Sequence, residues 1–265
     1  MPAQPTDLIL DVGNTRTKFA LFVGDRAVRH GNAPNGDIAA VRSFVGPEPP
    51  QAIAMGSVAA LDTGYFKALE AIAPVVVLTG SSKSPIKIAY ATPHTLGADR
   101  LANVVGAMQH FPGRAVLAID LGTCITYDVC DPDGSYAGGA IAPGLRMRAK
   151  AMHAYSAKLP LVDPDPSPTL IGTTTEGSIA SGVHHGIVGE IEGFMRKVGK
   201  ERPGLAVVLT GGDAPRFARA LESGIFALPL LTLEGFHALL VHHRSQRTGY
   251  LAPAAPAGDG PGPTG

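Results

Sequence analysis

The chain has 265 residues, 45% of them hydrophobic, with no tryptophan and 22 basic against 22 acidic side chains, for a formal net charge of +0. This length suggests two domains whose cores need neither disulfide nor structural metal, and the charge balance argues against nucleic acid or an anionic membrane as partner. The N-terminus MPAQPTD has no basic residue before the first apolar run, no run approaches the roughly 18 apolar residues of a span, and Cys124 and Cys130 are the only cysteines. A cytoplasmic protein acting on a small molecule is the expectation.

The first predicted element is a hairpin. LILDVGNTRTKFALF gives a strand at Leu8 to Leu10, a polar turn tightened at Gly13, and a strand from Phe19 to Val23. QAIAMGSV and PVVVLTG follow as buried strands, and LGADRLANVVGAMQHF sets Leu101, Val104, Val105 and Met108 at helical spacing, with Asp99 and Arg100 in the first turn. AVLAIDLGTCITYDVC, Ala115 to Cys130, repeats the order strand, Asp, Gly, Thr, strand. Recurrence after about 110 residues means two related halves, since a solenoid repeats every 20–50.

Farther on, Ile179, Val183, Ile187 and Ile191 recur every fourth residue through SIASGVHHGIVGEIEGFM. LAVVLTGGDAPRFARALES reads as a buried strand, a glycine turn and a helix, and APAAPAGDGPGPTG as a disordered tail. Strands alternating with helices around initial hairpins predict an α/β fold with a mixed sheet in each half.

Glycine turns between strands expose backbone N–H groups that cradle anions, and Asn14, Thr15 and Thr123 add side-chain donors. Phosphate is the natural guest, with Asp11 and Asp120 as hard oxygen ligands for Mg²⁺ and Lys18 as a point charge. Either aspartate alone could be a turn cap; the pair of apolar-Asp-x-Gly-[NT] segments favours phosphate. Gly211 and Gly212 follow a third buried strand, where a nucleotide would meet no side chain. The other phosphate signatures fail. There is no GxxxxGK[ST], and the GxGxxG at Gly260 to Gly265 has neither a strand before it nor a helix after it.

Two D-x-G-[NT] hairpins and a later T-G-G turn resemble the acetate kinase, sugar kinase, Hsp70 and actin superfamily. Within it the chain is similar to type III pantothenate kinases, through DVGNT (Asp11 to Thr15), YATPHTLGADR (Tyr90 to Arg100), DLGTCIT (Asp120 to Thr126), GGAIAPG (Gly138 to Gly144), TTEGSIASG (Thr174 to Gly182) and LTGGDA (Leu209 to Ala214). The resemblance implies two related actin/ribonuclease H-like domains, 1–114 and 115–251, before a tail at 252–265. It implies transfer of the ATP γ-phosphoryl group to the primary hydroxyl of pantothenate, the first step toward coenzyme A. Asp99 becomes the base, and Tyr90, Gly97, Ala98, Arg100 and Thr175 join it around pantothenate. At Thr173 and Thr174 the family usually has Lys-Asn, so all three threonines are candidates for the substrate contact, with Thr175 favoured.

ATP phosphates are implied at Asp11, Val12, Gly13, Asn14, Thr15, Arg16, Thr17, Lys18, Gly122 and Thr123, and adenosine at Gly211 and Gly212. Asp11 is implied as the Mg²⁺ ligand and Asp120 as neighbour of a monovalent cation, K⁺ or NH₄⁺. A homodimer is implied, to which the Ile179 to Ile191 repeat could contribute, although a core helix has the same pattern. A sugar or acyl kinase of the superfamily, or a nucleotide-binding regulatory accessory protein, are the alternatives. The adjacent pairs His184-His185 and His242-His243 should point apart on helices, and His237 and His242, five apart, lack the HExxH pattern, so packed or solvated histidines are expected rather than zinc ligands.

Overall fold

A computed structural model describes residues 6–57, 62–163, 168–221 and 224–248, which places the predicted disordered tail outside the described residues. The first half opens with an antiparallel meander, β1 (Thr6–Val12), β2 (Arg16–Val23) and β3 (Arg26–Pro34). Helix α1 (Ile38–Val45), β4 (Ala52–Ser57), α2 (Thr63–Glu70) and β5 (Val75–Leu78) complete it. The sheet order is β3-β2-β1-β4-β5, with β4 parallel to β1 and β5 parallel to β4.

The same scheme returns in the second half. β7 (Val116–Leu121), β8 (Cys124–Cys130) and β9 (Ser135–Pro143) form the meander, and β10 (Ala206–Thr210) and β11 (Ile225–Ala227) extend the sheet on the far side of β7. Both halves therefore have the predicted mixed sheet, because in each a hairpin-connected meander is followed by strands that must cross over a helix to pair in parallel. One short strand, β6 (Lys87–Ile88), lies before the expected boundary at 114/115 in the chain, yet pairs parallel with β9 at the edge of the second sheet.

Alternation along the strands sorts the core into layers. Leu8, Leu10 and Val12 of β1 pack with Val41, Val45 and Leu69 of α1 and α2, while Ile9 points the other way. On β7, Leu117, Ile119 and Leu121 face α5 (Thr175–Glu201) and α6 (Ala214–Ala218), and Val116 and Ala118 face inward. Between the two sheets lie α3 (Ala98–His110) and α7 (Leu231–Thr248), whose Leu101, Val105, Phe236 and Leu240 share one core with Ile9, Ala54, Val116 and Val208. At its far end α7 is fastened to β1, where Arg244 donates to both oxygens of buried Asp7 at 2.7 and 2.6 Å. Burial alone would raise the Asp7 pKa, but the bonds from His237 and Arg244 hold it below the usual carboxylate range.

Helices α3 and α7 approach so closely that a Cβ on Gly235 would lie 1.8 Å from the Ala102 carbonyl oxygen. Gly235→Ala should therefore push the two helices apart and cost about 1–3 kcal/mol, the usual penalty of overpacking a core. A melting curve checks this.

Helix α5 is longer than its apolar repeat suggested, and the repeat lies in the core. Ile179, Val183, Ile187 and Ile191 pack against β7, β8 and β10, so none is available to a second chain. Exposed apolar side chains lie elsewhere; several are on β9, on α4 (Leu145–Ala154) and on the segment after it, among them Ile141, Met147, Tyr155, Leu161 and Ile171. His184 and His185 do not point apart either: their rings meet edge to face at 5.0 Å, with His184 buried and stacked on Phe217. Among the described residues no helix is long and apolar enough to cross a membrane.

Candidate active site

Asp11 and Asp120 sit near the C-terminal ends of β1 and β7, the end of a parallel arrangement where crossovers leave a crevice. Both belong to strands rather than to the turns that follow them. Register then decides which side chains can serve a ligand. Lys18 is the cross-strand partner of Asp11 and shares its face, whereas Val12 and Thr17, paired with each other, point to the opposite one. Val12 is in the core behind the sheet and Thr17 donates its hydroxyl to Asn35 Oδ1 at 3.0 Å, so only their backbone can belong to a phosphate site. Arg16, Asn14 and Thr15 are exposed.

Asn35 was missed in the sequence and braces this turn. Its Nδ2 donates to the Gly13 carbonyl at 2.9 Å while Gly13 N donates to Arg16 O at 3.2 Å. The second hairpin is closed in a similar way: Gly122 N donates to Cys124 O and Gly144 N to Thr123 O, each at 3.1 Å. Its backing comes from the last glycine of GGAIAPG. The third glycine turn lies against it. Gly211 has φ +95°, where glycine alone is relaxed, and a Cβ there would be 2.4 Å from Asp120 Oδ1. Gly212 follows at the head of the same turn, and Asp213 N donates to Leu121 O at 3.0 Å, so the turn and hairpin are one surface.

Three carboxylates meet here. Burial, then the charges of Asp120 and Asp99, push Asp11 up to about 7 against the pull of Lys18. Asp120 is raised as well, by burial first and by Asp99, opposed by Lys18 and by a bond from Asn103. A cation beside Asp11 and Asp120 would favour their ionised forms, and Mg²⁺, which takes one or two carboxylates together with water and phosphate oxygens, suits such a pair. Saturating Mg²⁺ should accordingly raise the melting temperature, by about 2.7 kcal/mol of stabilisation at a hundredfold excess over Kd. Asp11→Asn should remove most of that shift, as differential scanning fluorimetry would show.

Asp99 stands in the first turn of α3, after the N-cap Gly97, and its Oδ1 accepts from Arg100 N at 2.9 Å. Ala98 is buried in the inter-sheet core and can offer only backbone. Arg100 was expected to face substrate, and its fork is instead engaged inside the protein. Nε and Nη2 reach Asp128 Oδ1 at 2.9 and 2.7 Å, and Tyr136 donates its hydroxyl to the same oxygen at 2.7 Å. Burial would lower the Arg100 pKa, but the bonds and charge of Asp128 raise it. Tyr90 covers the group, its ring 5.8 Å from the guanidinium and 5.9 Å from the Tyr136 ring.

Thr175, the first residue of α5, is placed apart from this cluster. With Thr173 and Thr174 it lines a groove of about 620 Å³ beside Met152 and Leu159, which none of Tyr90, Gly97, Asp99 and Arg100 lines. The Thr174 hydroxyl is committed as the helix cap, accepting from Gly177 N at 3.0 Å.

Residues 7–197 match the family model described as type III pantothenate kinase. A type III pantothenate kinase of Christiangramia forsetii is 39% identical over 242 residues, covering 91% of this chain and all of that protein. Its counterpart in Bacteroides fragilis is 38% identical, covering 91% and 99%. Among solved structures, a conserved Baf family protein from Campylobacter jejuni superposes with a TM-score of 0.59 at 19% identity, covering 90% of this chain and 99% of that one. The activator of the 2-hydroxyisocaproyl-CoA dehydratase from Clostridium difficile, with bound ADPNP, gives 0.53 at 12%, covering 94% and 100%. At such identities the structural likenesses carry the fold alone.

Proposed function

The chain belongs to the type III pantothenate kinase family, and from that premise we propose how its residues divide the transfer of the ATP γ-phosphoryl group to the primary hydroxyl of pantothenate. The observation that carries the proposal is the electrostatic coupling of Asp11 and Asp120 with each other, with Asp99 and with Lys18, groups drawn from two hairpins and a helix start. Phosphoryl transfer needs little covalent help from protein and much positioning and charge compensation. That is what this set of groups offers.

Asp99 takes the proton of the pantothenate hydroxyl. Its Oδ1 is occupied by Arg100 N, which leaves Oδ2 to receive it. The hydroxyl oxygen forms the new bond to the γ-phosphorus, and the bond from phosphorus to the β,γ-bridging oxygen breaks, releasing ADP. The backbone of Gly13 to Thr15 and of Gly122 and Thr123 cradles the phosphates, Lys18 adds charge, and Gly211 and Gly212 leave room for adenosine. Asp11 and Asp120 would hold Mg²⁺, which supplies neutralisation of charge on the phosphate oxygens when bound; K⁺ or NH₄⁺ belongs near Asp120. Tyr90 and Gly97 border the pantothenate pocket, and Arg100, held by Asp128, supports Tyr90 from within the protein.

We assign the homodimer contact to the exposed apolar face of Ile141, Met147, Tyr155, Leu161 and Ile171. Met152 of α4 and Leu159 after it line the groove that holds Thr175, so pairing two chains on these segments would let Thr175 complete a pocket across the interface. The two free thiols fit a cytoplasmic setting.

The test is an assay of phosphate transfer from Mg·ATP to pantothenate, with and without K⁺. Cation-dependent formation of phosphopantothenate is expected. Transfer to sugars or acetate in its place would overturn the substrate assignment.

A further inference from the structure

We infer that Asn103 and Thr232 are positioning residues for Asp120: the Thr232 hydroxyl orients the Asn103 amide, and the amide holds one carboxylate oxygen so that the other faces the two glycine turns. This rests on the kinase reading above and adds to it a part played by the C-terminal helix.

Asn103 stands one turn beyond Asp99 on α3, with 1% of its surface exposed. Its Nδ2 donates to Asp120 Oδ2 at 3.3 Å, and its Oδ1 accepts from Thr232 Oγ1 at 2.7 Å. Thr232 is itself buried, in the first turn of α7. The polarity of this chain is forced. When Asp120 is ionised, as it must be to hold a cation, it only accepts, so the amide nitrogen faces Asp120, its oxygen faces Thr232, and the hydroxyl donates. Asp120 Oδ1 lies on the opposite side, toward Gly122 and Gly211, whose added Cβ atoms would be 3.6 and 2.4 Å from it. Asp120 is therefore anchored from within the protein by one oxygen and presents the other to the phosphate and adenosine turns. Without the hydroxyl the amide can turn its oxygen toward the carboxylate, which would repel the side chain it now holds.

The experiment compares wild type with Thr232→Val, which keeps the shape and removes the donor, with Thr232→Ser, which keeps the hydroxyl, with Asn103→Ala, and with the Asn103→Ala/Thr232→Val double variant. Partners that orient a ligand-holding group are typically worth about 10–100-fold in activity. Thr232→Val should lose about tenfold in kcat with the KM for pantothenate nearly unchanged, Thr232→Ser should recover most of that loss, and the double variant should be no worse than Asn103→Ala alone. Wild-type kcat in Thr232→Val, equal impairment in Thr232→Ser, or losses that multiply in the double variant would each overturn the inference. The melting shift on adding Mg·ATP gives a second readout, weakened in Thr232→Val and restored in Thr232→Ser. It decides the matter even where wild type transfers no phosphate to pantothenate, an outcome that would count against the kinase reading alone.

Discussion

Asp99→Asn should lower kcat for pantothenate phosphorylation about 10²–10⁴-fold, the range that a positioned general base contributes. The substitution preserves size, and Asn Oδ1 can still accept from Arg100 N as Asp99 does at 2.9 Å, so the start of α3 keeps its geometry. What disappears is the oxygen able to take a proton. A change in the KM for ATP is not expected, because the groups proposed to hold ATP lie on the hairpins and the third glycine turn. Steady-state kinetics with both substrates varied, beside a melting curve, checks this. Wild-type turnover in a folded variant would remove Asp99 from the chemistry.

The second large effect concerns stability. Asp128→Ala leaves the Arg100 guanidinium buried without its counter-charge and deprives the Tyr136 hydroxyl of its acceptor. Removing one partner of a buried ion pair costs about 3–5 kcal/mol, since the surviving charge stays desolvated and uncompensated. For a chain of this size that is a fall of roughly 10 °C in melting temperature. Replacing both members, as Arg100→Met with Asp128→Leu, should restore much of the lost stability, because two apolar groups of similar volume carry no desolvation cost. If the double variant were as unstable as Asp128→Ala, the deficit would come from packing rather than from charge.

Much of the architecture was legible because its signals are local. The alternation around Asp11 and Asp120 gave both hairpins, and their recurrence gave two halves of one design. The helical spacing of Leu101, Val104 and Val105 placed Asp99 and Arg100 at a helix start. What escaped was set by pairing between distant segments. The exchange of β6 into the second sheet joins segments far apart in the chain and leaves no trace in a two-residue strand. The Ile179 to Ile191 repeat could not say which surface it meets, and the structure gives it to the core. In the site, Asp11, Lys18 and the glycines were readable from their motifs, whereas Val12 and Thr17 were included by position and turn their side chains away because a strand alternates. Asp128 had a signal that went unread: an arginine in an apolar helix requires a buried acid, and CITYDVC is an apolar strand with one aspartate in it. Asn35, Asn103 and Thr232 had none, since a single polar residue acquires meaning only from what folds against it.

The layer formed by α3 and α7 also bears on how the molecule is made. Strand β1 leaves the ribosome early, yet the inward side of its sheet, at Ile9 and Ala54, is covered by α7, which begins at Leu231. The first sheet must therefore wait, with one apolar face uncovered, until α7 has been synthesised. Domain-by-domain folding during translation, the usual course for a chain of this length, is closed to the first half of this one. Its nascent form is consequently the stage most exposed to aggregation and most dependent on chaperones.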